Sequence, residues 1–501
     1  MNALFHYYQV VVDSLTAHPS KRYYRLNRIF LGLVFVAGLI FWGLFMNWGR
    51  GPITFHDWAD ITAPRLTLIR NAVSSLTLPL NASTPMDMGA TASTKVLAIP
   101  DLLLSPQIVF LPFMSVAQFS LFQVVLLYAA GFWGLLQLRR KLNWSLLTFG
   151  IVDVLFNFNG NITAGIAVGH LTWTGYFLFP WFAYLIFEAI NQKPGWQWIF
   201  KMAVVLFAVL LQGSYHQFIW LLFFLGFFAI AYYRNFMTIA SAAVFSVLLG
   251  FMRLTPEFSL LDDYKNEFIA GYLNVGAIYH ALVMVDKPIL ARLAGVGKYL
   301  GTWELSLYIG FAGFAFLVLF GLIRPWFRKP LKNRYIRCYI PVLGMVLLSM
   351  NQVYKPLRDT FDIPILSGER VATRIIIVGF VFLVFLAANE FQLWLDYRKR
   401  SPFAFGAVFA FSGWGLFEIF NNARQWRVVA ASWYFPESEF NASKWTLANQ
   451  YTESAYLNLV LLGIAFTMFC AIFLIAMALH EKNQRRTRIA ETPIHQLLAH
   501  G

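Results

Sequence analysis

"IFLGLVFVAGLIFWGLFMNW" (29–48) runs straight into "GRGPITFHDWAD" (49–60): twenty residues without a charge, then a histidine and two carboxylates within five positions. About twenty predominantly apolar residues cross a bilayer as a helix. The first stretch therefore predicts a transmembrane span, and the second stands just past its exit. The rest of the chain repeats the pattern. Hydrophobic residues make up 59% of the 501, aromatics 18% and charged residues only 13%, with a mean hydropathy of +0.60, against roughly 25% charged in a soluble domain. Apolar runs recur near 29–48, 117–138, 144–159, 172–190, 199–213, 216–232, 235–253, 304–324, 337–351, 373–392, 403–420 and 457–478. The expectation is an all-α polytopic membrane protein of about 12 transmembrane helices, forming one integral membrane domain over 1–501. Residues 1–28 are too polar and aromatic for a secretory signal, so the first span is expected to persist in the mature chain.

Charge sets the orientation. The densest basic clusters, "KRYYRLNR" (21–28), "RRK" (139–141), "YYRN" (232–235), "RPWFRKPLKNRYIR" (324–337), "YRKR" (397–400) and "EKNQRRTR" (481–488), fall on one side of this span pattern. That side holds 23 of the 39 Lys and Arg against six carboxylates, while the other holds 16 of each sign. By the positive-inside rule the basic side is cytoplasmic, as are the tails 1–28 and 479–501. The net charge of +15 then reports topology, and no nucleic-acid partner is expected. Two cysteines, Cys338 and Cys470, are too few for a disulfide framework. The sequence contains no Walker loop and no dinucleotide fingerprint.

Loop length is asymmetric. Long insertions at 49–116, 254–303, 352–372 and 421–456 all fall outside, where the working surface is expected. Within the first, "LTLIRNAVSSL" (66–76) spaces Leu66, Ile69, Val73 and Leu76 along one helical face, as an interfacial helix would. If 54–62 is helical, Asp57 and Asp60 lie three apart and point the same way, with Pro64 placed to open a second helix. Such a pair suits a general base, or a base beside a divalent cation such as Mg²⁺ or Mn²⁺. Helix capping and solvation account for the same residues. His170, in "FNFNGNITAGIAVGHLTW" (156–173), and His216 and Gln217, in "LLQGSYHQFIW" (210–220), sit at the outer ends of neighbouring hairpins, as substrate contacts or as packed polar residues. In "YKPLRDTFDIPILSGERVATRII" (354–376), Lys355, Arg358, Arg370 and Arg374 collect on the outer side, with Arg370 and Arg374 at helical spacing. They suit a phosphate at the membrane surface, or ion pairs with Asp359, Asp362 and Glu369.

The acidic stretch after the first span, "DWADITAPRLTLIRNAVSSLTLPL" (57–80), the second outer segment "PDLLLSPQIVFLPF" (100–113), "FNFNGNITAGIAVGHLTWTGYFLFPW" (156–181) and "GERVATR" (368–374) together resemble the polytopic C-type glycosyltransferase superfamily (GT-C), bacterial YfhO-type members above all. One departure is "LPLNAS" (78–83), where those proteins usually carry "LPLWNP". The resemblance implies transfer of a sugar from a polyisoprenyl-phosphate carrier to a glycan, lipid or protein acceptor on the outer face of a bacterial inner membrane. Asp57, and after it Asp60, would be the base, and Arg370 and Arg374 would hold the carrier phosphate. A transporter or lipid flippase, a membrane O-acyltransferase using His170 or His216, and a non-catalytic subunit of a membrane complex are the competing classes.

Overall fold

A computed structural model describes residues 12–16, 18, 24–87, 92–263, 267–285, 301–327, 334–361, 364–397 and 402–491. Its principal helices are α1 (Tyr24–Phe45), α2 (Ala63–Ser74), α3 (Val116–Leu142), α4 (Leu146–Asn157), α5 (Gly160–Val168), α6 (Phe179–Asn191), α7 (Trp196–Leu211), α8 (Tyr215–Ala231) and α9 (Phe236–Leu249). The second half adds α10 (Gly310–Phe327), α11 (Tyr339–Leu348), α12 (Ile376–Tyr397), α13 (Pro402–Gln425) and α14 (Ser454–Glu491). The only sheet among the described residues is a hairpin, β1 (Asn81–Asp87) and β2 (Ala92–Lys95), in the first long insertion.

The all-α membrane architecture holds, and the span count differs. Among the described residues seven helices are long and apolar enough to cross a bilayer, and α8 with α9, bent by 110° at their junction, makes an eighth. Each of the twelve apolar runs contains helix. The shortfall has two sources: α6 has 13 residues, α7 16 and α11 10, under the span of about 20, and the runs 216–232 and 235–253 together make the one bent span. Asn159 breaks α4 from α5 by capping the latter, accepting from Asn161 N at 3.0 Å. α12 runs through the middle, 89% buried, whereas α13 is 11% buried and presents its apolar surface outward, as a lipid-facing helix does.

All four long insertions meet at one end of the bundle. Phe55 bridges Glu437, Ala82 bridges Leu447, Ala270 bridges Val371 and Tyr272 bridges Met350. The hairpin is held by Asn449, whose Oδ1 accepts from Leu80 N and Asn81 N. At the far ends of the helices the basic segments meet in their turn, Gln197 N donating to Glu481 Oε2 at 2.8 Å and Tyr232 Oη to Arg334 O at 3.1 Å.

Beneath the insertions, Pro100–Phe113 is fixed from two sides. Gln107 Nε2 donates to Gln123 Oε1 and Gln212 Oε1, both at 2.6 Å. Arg253, fully buried, donates to Leu97 O at 3.2 Å, Ile99 O at 2.8 Å and Asp101 Oδ1 at 3.3 Å, and lies over the Tyr215 ring. Gly213, at φ +71, packs so tightly on this segment that a Cβ would meet the Asp101 carbonyl at 2.7 Å.

Arg253→Met is expected to lower stability by about 3 kcal/mol or more, because it strands the buried Asp101 carboxylate and the carbonyls of Leu97, Ile99 and Asp101. The exposed Arg70→Met is expected to stay within about 0.5 kcal/mol. Thermal unfolding in detergent checks both; equal midpoints would show that the staple carries no weight.

Candidate functional site

The first outer loop docks on the end of α5. Trp58 Nε1 donates to Ala167 O at 3.0 Å and Thr62 Oγ1 to Gly169 O at 2.6 Å, while His56 Nδ1 lies 3.3 Å from Val168 O. Gly169, at φ +105, permits the approach, since a Cβ there would stand 2.4 Å from Trp58 N. Residues Trp58–Thr62 form a π-helical turn that leads into α2, where Pro64 takes one of the first two helical positions as expected. The wide turn decides the fate of the acidic pair. Asp57, Ile61, Thr62 and Arg65 line a cavity, whereas Asp60 is exposed and lies outside that lining. Asp57 and Asp60 therefore do not point the same way. The expected interfacial stripe on α2 also shifts: Leu66, Leu68, Ile69 and Ala72 are buried, and Leu76 is 94% exposed. The helix faces the protein interior instead of a lipid surface.

The cavity encloses about 400 Å³ beneath the outer layer. Its polar end is ionic. Asp57 Oδ2 accepts from His170 Nε2 at 2.7 Å, and Oδ1 lies 3.3 Å from His56 Nδ1. Burial pushes the Asp57 carboxyl up, but His170, His56 and Arg374 together outweigh it and hold the group below its ordinary value. A second acid–histidine pair lines the same cavity: His216 Nδ1 is 3.0 Å from Glu369 Oε2, which also accepts from Trp220 Nε1 at 3.1 Å. Burial opposes ionisation of Glu369 too; His216 and Arg374 prevail and keep it low. The lining also has an apolar part, with Phe218, Ile219, Leu222 and Phe223 from α8 and Val247 from α9.

Arg374 is committed elsewhere than expected. Its Nε donates to Glu304 Oε2 at 2.6 Å and its Nη2 to Glu304 Oε1, and its guanidinium covers the Trp173 ring. Glu304 is also held low: burial raises it, and the Arg374 charge and hydrogen bond override that. The helical spacing assumed for Arg370 and Arg374 fails, because Val371 pairs with Ala270 and Ala372–Ile375 is a 3₁₀ turn. Arg370 lines the cavity, and among the described residues its guanidinium has no hydrogen-bond or ion-pair partner. Lys355 and Arg358 ride on the helix Asn351–Phe361 outside the cavity lining, Arg358 over the Phe268 ring. Gln217 is buried behind the wall, its Nε2 donating to Trp173 O at 3.0 Å. Asp362 lies outside the described residues.

Of the expected site residues, the structure brings Asp57, His170, His216, Arg370 and Arg374 together, and leaves Asp60, Lys355, Arg358 and Gln217 out of the lining. Glu304, Trp173, Asp101 and Glu257 are participants that sequence reasoning passed over; Glu304 pairs across 70 positions, and no local spacing signals that. The divalent-cation variant finds no ligand set. Both Asp57 oxygens face histidines, Asp60 points away, and among the described residues no three His, Cys, Asp or Glu converge as a metal site, where Mg²⁺ needs several oxygens. No protein-family model, curated protein or solved structure matches the chain, so the chemistry rests on this geometry.

Arg374→Met should destabilise the protein by about 3 kcal/mol, as loss of one partner from a buried ion pair does, while Arg370→Met should leave the thermal midpoint in place. The sign with pH follows from Glu304. In the native protein its depressed pKa contributes stability above the ordinary glutamate range, which is lost in acid. Without Arg374 the still-buried carboxyl titrates high, so the variant's deficit is full at neutral pH and narrows as the pH falls through that range. A deficit that widens in acid would contradict the pairing.

Proposed function

We propose that this protein is a GT-C-type glycosyltransferase, which moves a sugar from a polyisoprenyl-phosphate carrier to an acceptor at the outer face of the membrane. The observation that carries the reading is one cavity lined by an ionised carboxylate, by an arginine without a hydrogen-bond or ion-pair partner among the described residues, and by apolar side chains from α8 and α9. Such a cavity suits an amphiphile whose tail lies along the helices and whose head bears a phosphate. The resemblance of "DWAD" (57–60) and "GERVATR" (368–374) to that superfamily points the same way.

In this reading Asp57 is the base. An acceptor hydroxyl attacks the anomeric carbon from the side opposite the lipid phosphate, its proton passes to Asp57, the carbon–oxygen bond to phosphate breaks, and configuration inverts. A carboxylate held at low pKa is a weak base at the start of such a step. The attacking hydroxyl becomes acidic only as the bond forms at an oxocarbenium-like centre, so the transfer comes late and a weak base suffices. The departing phosphate needs cations. Arg370 supplies one with five donors in a fork that matches phosphate oxygens, and His216 stands at the same mouth. Arg374, paired with Glu304, supplies field and position in place of direct contact.

The same reading puts the insertions outside and both termini in the cytoplasm, with twelve crossings in which α6, α7 and α11 are short spans and α8 and α9 each cross. The supporting fact is that 57–69, 100–102, 169–173, 213–223 and 368–374 converge on one cavity, and charge sorting assigns all of them to one side. A bacterial inner membrane is the setting the resemblance implies.

Two outcomes follow. Asp57→Asn keeps shape and hydrogen bonding but cannot take a proton; turnover from a polyprenyl-phosphate sugar should fall about 10²-fold or more, with binding of undecaprenyl phosphate unchanged. Full turnover in that variant would remove the base. Since both native cysteines are buried, Ser443→Cys and Thr487→Cys report topology directly. An impermeant maleimide applied to intact cells should label the first and spare the second; the reverse pattern would invert the protein.

A further inference from the structure

The proposed chemistry gives the carrier phosphate to Arg370 and assigns no contact to the second acid–histidine pair of the cavity. His216 stands in the first turn of α8 and lines the cavity, with 41% of its side chain exposed. Behind it the Glu369 carboxylate is buried, and both of its oxygens accept from fixed donors. Oε1 accepts from Val371 N at 3.1 Å, and Oε2 from Trp220 Nε1 at 3.1 Å and from His216 Nδ1 at 3.0 Å. An ionised carboxylate accepts and does not donate, so the proton on Nδ1 is fixed and the imidazole is held in one orientation. Its other nitrogen, Nε2, is neither enclosed nor bonded to any described residue.

That free edge can meet an occupant in two ways. The neutral ring offers a lone pair and suits a hydroxyl, whereas the imidazolium offers a second N–H with a charge and suits an anion. Two neighbours decide between them. The Glu369 carboxylate, 3.0 Å behind the ring, favours the cation. Arg370 follows Glu369 in the chain and lines the same cavity, its guanidinium without a hydrogen-bond or ion-pair partner among the described residues. An anion drawn by Arg370 is repelled by a lone pair and held by an imidazolium.

We infer that His216, oriented by Glu369, is the second ligand of the carrier phosphate and binds it with the imidazole protonated. This role rests on the glycosyltransferase reading and deepens it. Arg370 is a permanent cation, whereas His216 supplies a charge that comes and goes with one proton. In the donor the phosphate is a diester with a single charge. When the bond from the anomeric carbon breaks, the electron pair stays on the phosphate oxygen, the carrier becomes a monoester with a second charge, and Nε2–H donates to it. Glu369 touches no substrate and acts as a positioning residue. Phosphate and proton therefore bind as linked ligands, each strengthening the other. The other charged groups of the lining are Arg374 beyond Arg370, Asp57 and Arg65 from the first insertion with His170, and Asp101 and Glu257; all of them stay in place when His216 alone is replaced, so the difference from wild type isolates the imidazole.

The test measures affinity of the detergent-solubilised full chain for farnesyl methyl phosphate by isothermal titration calorimetry across about pH 5 to 8, in wild type, His216→Gln and Glu369→Gln. This diester lacks the second ionisation that a monoester has near pH 6, so a pH dependence belongs to the protein. Wild-type affinity should fall about tenfold or more as the pH rises. His216→Gln, neutral throughout, should bind more weakly in acid and show no such fall. Glu369→Gln removes the charge behind the ring, so the fall should move toward acid by about one pH unit or more, which a merely structural role would not do. His216 is part exposed, so its variant tests the site even if loss of the buried Glu369 unfolds the protein. Equal pH profiles in wild type and His216→Gln, or an affinity that rises with pH as a lone pair on Nε2 requires, would overturn the imidazolium ligand while the carrier reading stands; an unmoved fall in folded Glu369→Gln would overturn the positioning by Glu369. If wild type binds neither this diester nor undecaprenyl phosphate at any pH, the carrier reading falls, and the imidazolium ligand with it.

Discussion

The buried ion pair between Arg374 and Glu304 is the constraint on which the outer end of this protein depends. It joins the residues that follow two insertions, 70 positions apart in sequence, and it places a positive charge beside Asp57 and Glu369 without exposing it to water. Around it the carboxylates each acquire a histidine: His170 for Asp57, His216 for Glu369. Taken singly, each of these anions would be driven to protonate by burial. Taken together, with guanidinium between and imidazoles outside, they stay ionised at the mouth of an apolar cavity. Trp173, under the guanidinium, excludes water from the pair and ties it to the α5–α6 turn. Stability and electrostatics are here one arrangement: removal of Arg374 strands Glu304 and changes the field at Asp57 at once.

Membrane class and helical content were legible in the sequence because they depend on sums. A run such as 29–48 needs no partner to declare itself, and the basic clusters sort without knowledge of contacts. The count of crossings was less legible, since hydropathy does not register the 110° bend between α8 and α9 or the shortness of α6 and α11. Asp57 was legible as a residue and not as a geometry. Helical spacing paired it with Asp60, and the π-helical turn at Trp58–Thr62 separated them. Its true partners, His170 and His56, came from a turn 113 positions away and from a neighbour held at φ +47. The arginine pair failed for a similar reason: a bridge to Ala270 interrupts the helix that the spacing assumed. Long-range pairings of single charges, such as Arg253 with Asp101, leave no periodic trace.

Polar residues deeper in the bundle bear on the transport alternative. Asp153 is buried and hydrogen-bonded by Asn157 at 2.8 Å. The Glu418 carboxylate caps the start of α10, accepting from Phe311 N and Ala312 N, both at 3.0 Å. These groups are engaged locally and do not extend the polar end of the cavity toward the basic end of the helices. A carrier that moved a head group across the bilayer would need such a continuation. A transferase that receives its lipid-linked substrate and its acceptor at one face does not, and the asymmetry of loop length accords with work done at that face.

The most direct measurement is a cryo-electron-microscopy structure of the protein with a polyprenyl-phosphate sugar. The account predicts the phosphate at Arg370, the tail along the α8–α9 wall, and the anomeric carbon within reach of Asp57. Density for the lipid outside the cavity, or a head group held near Asp153 at mid-membrane, would contradict it.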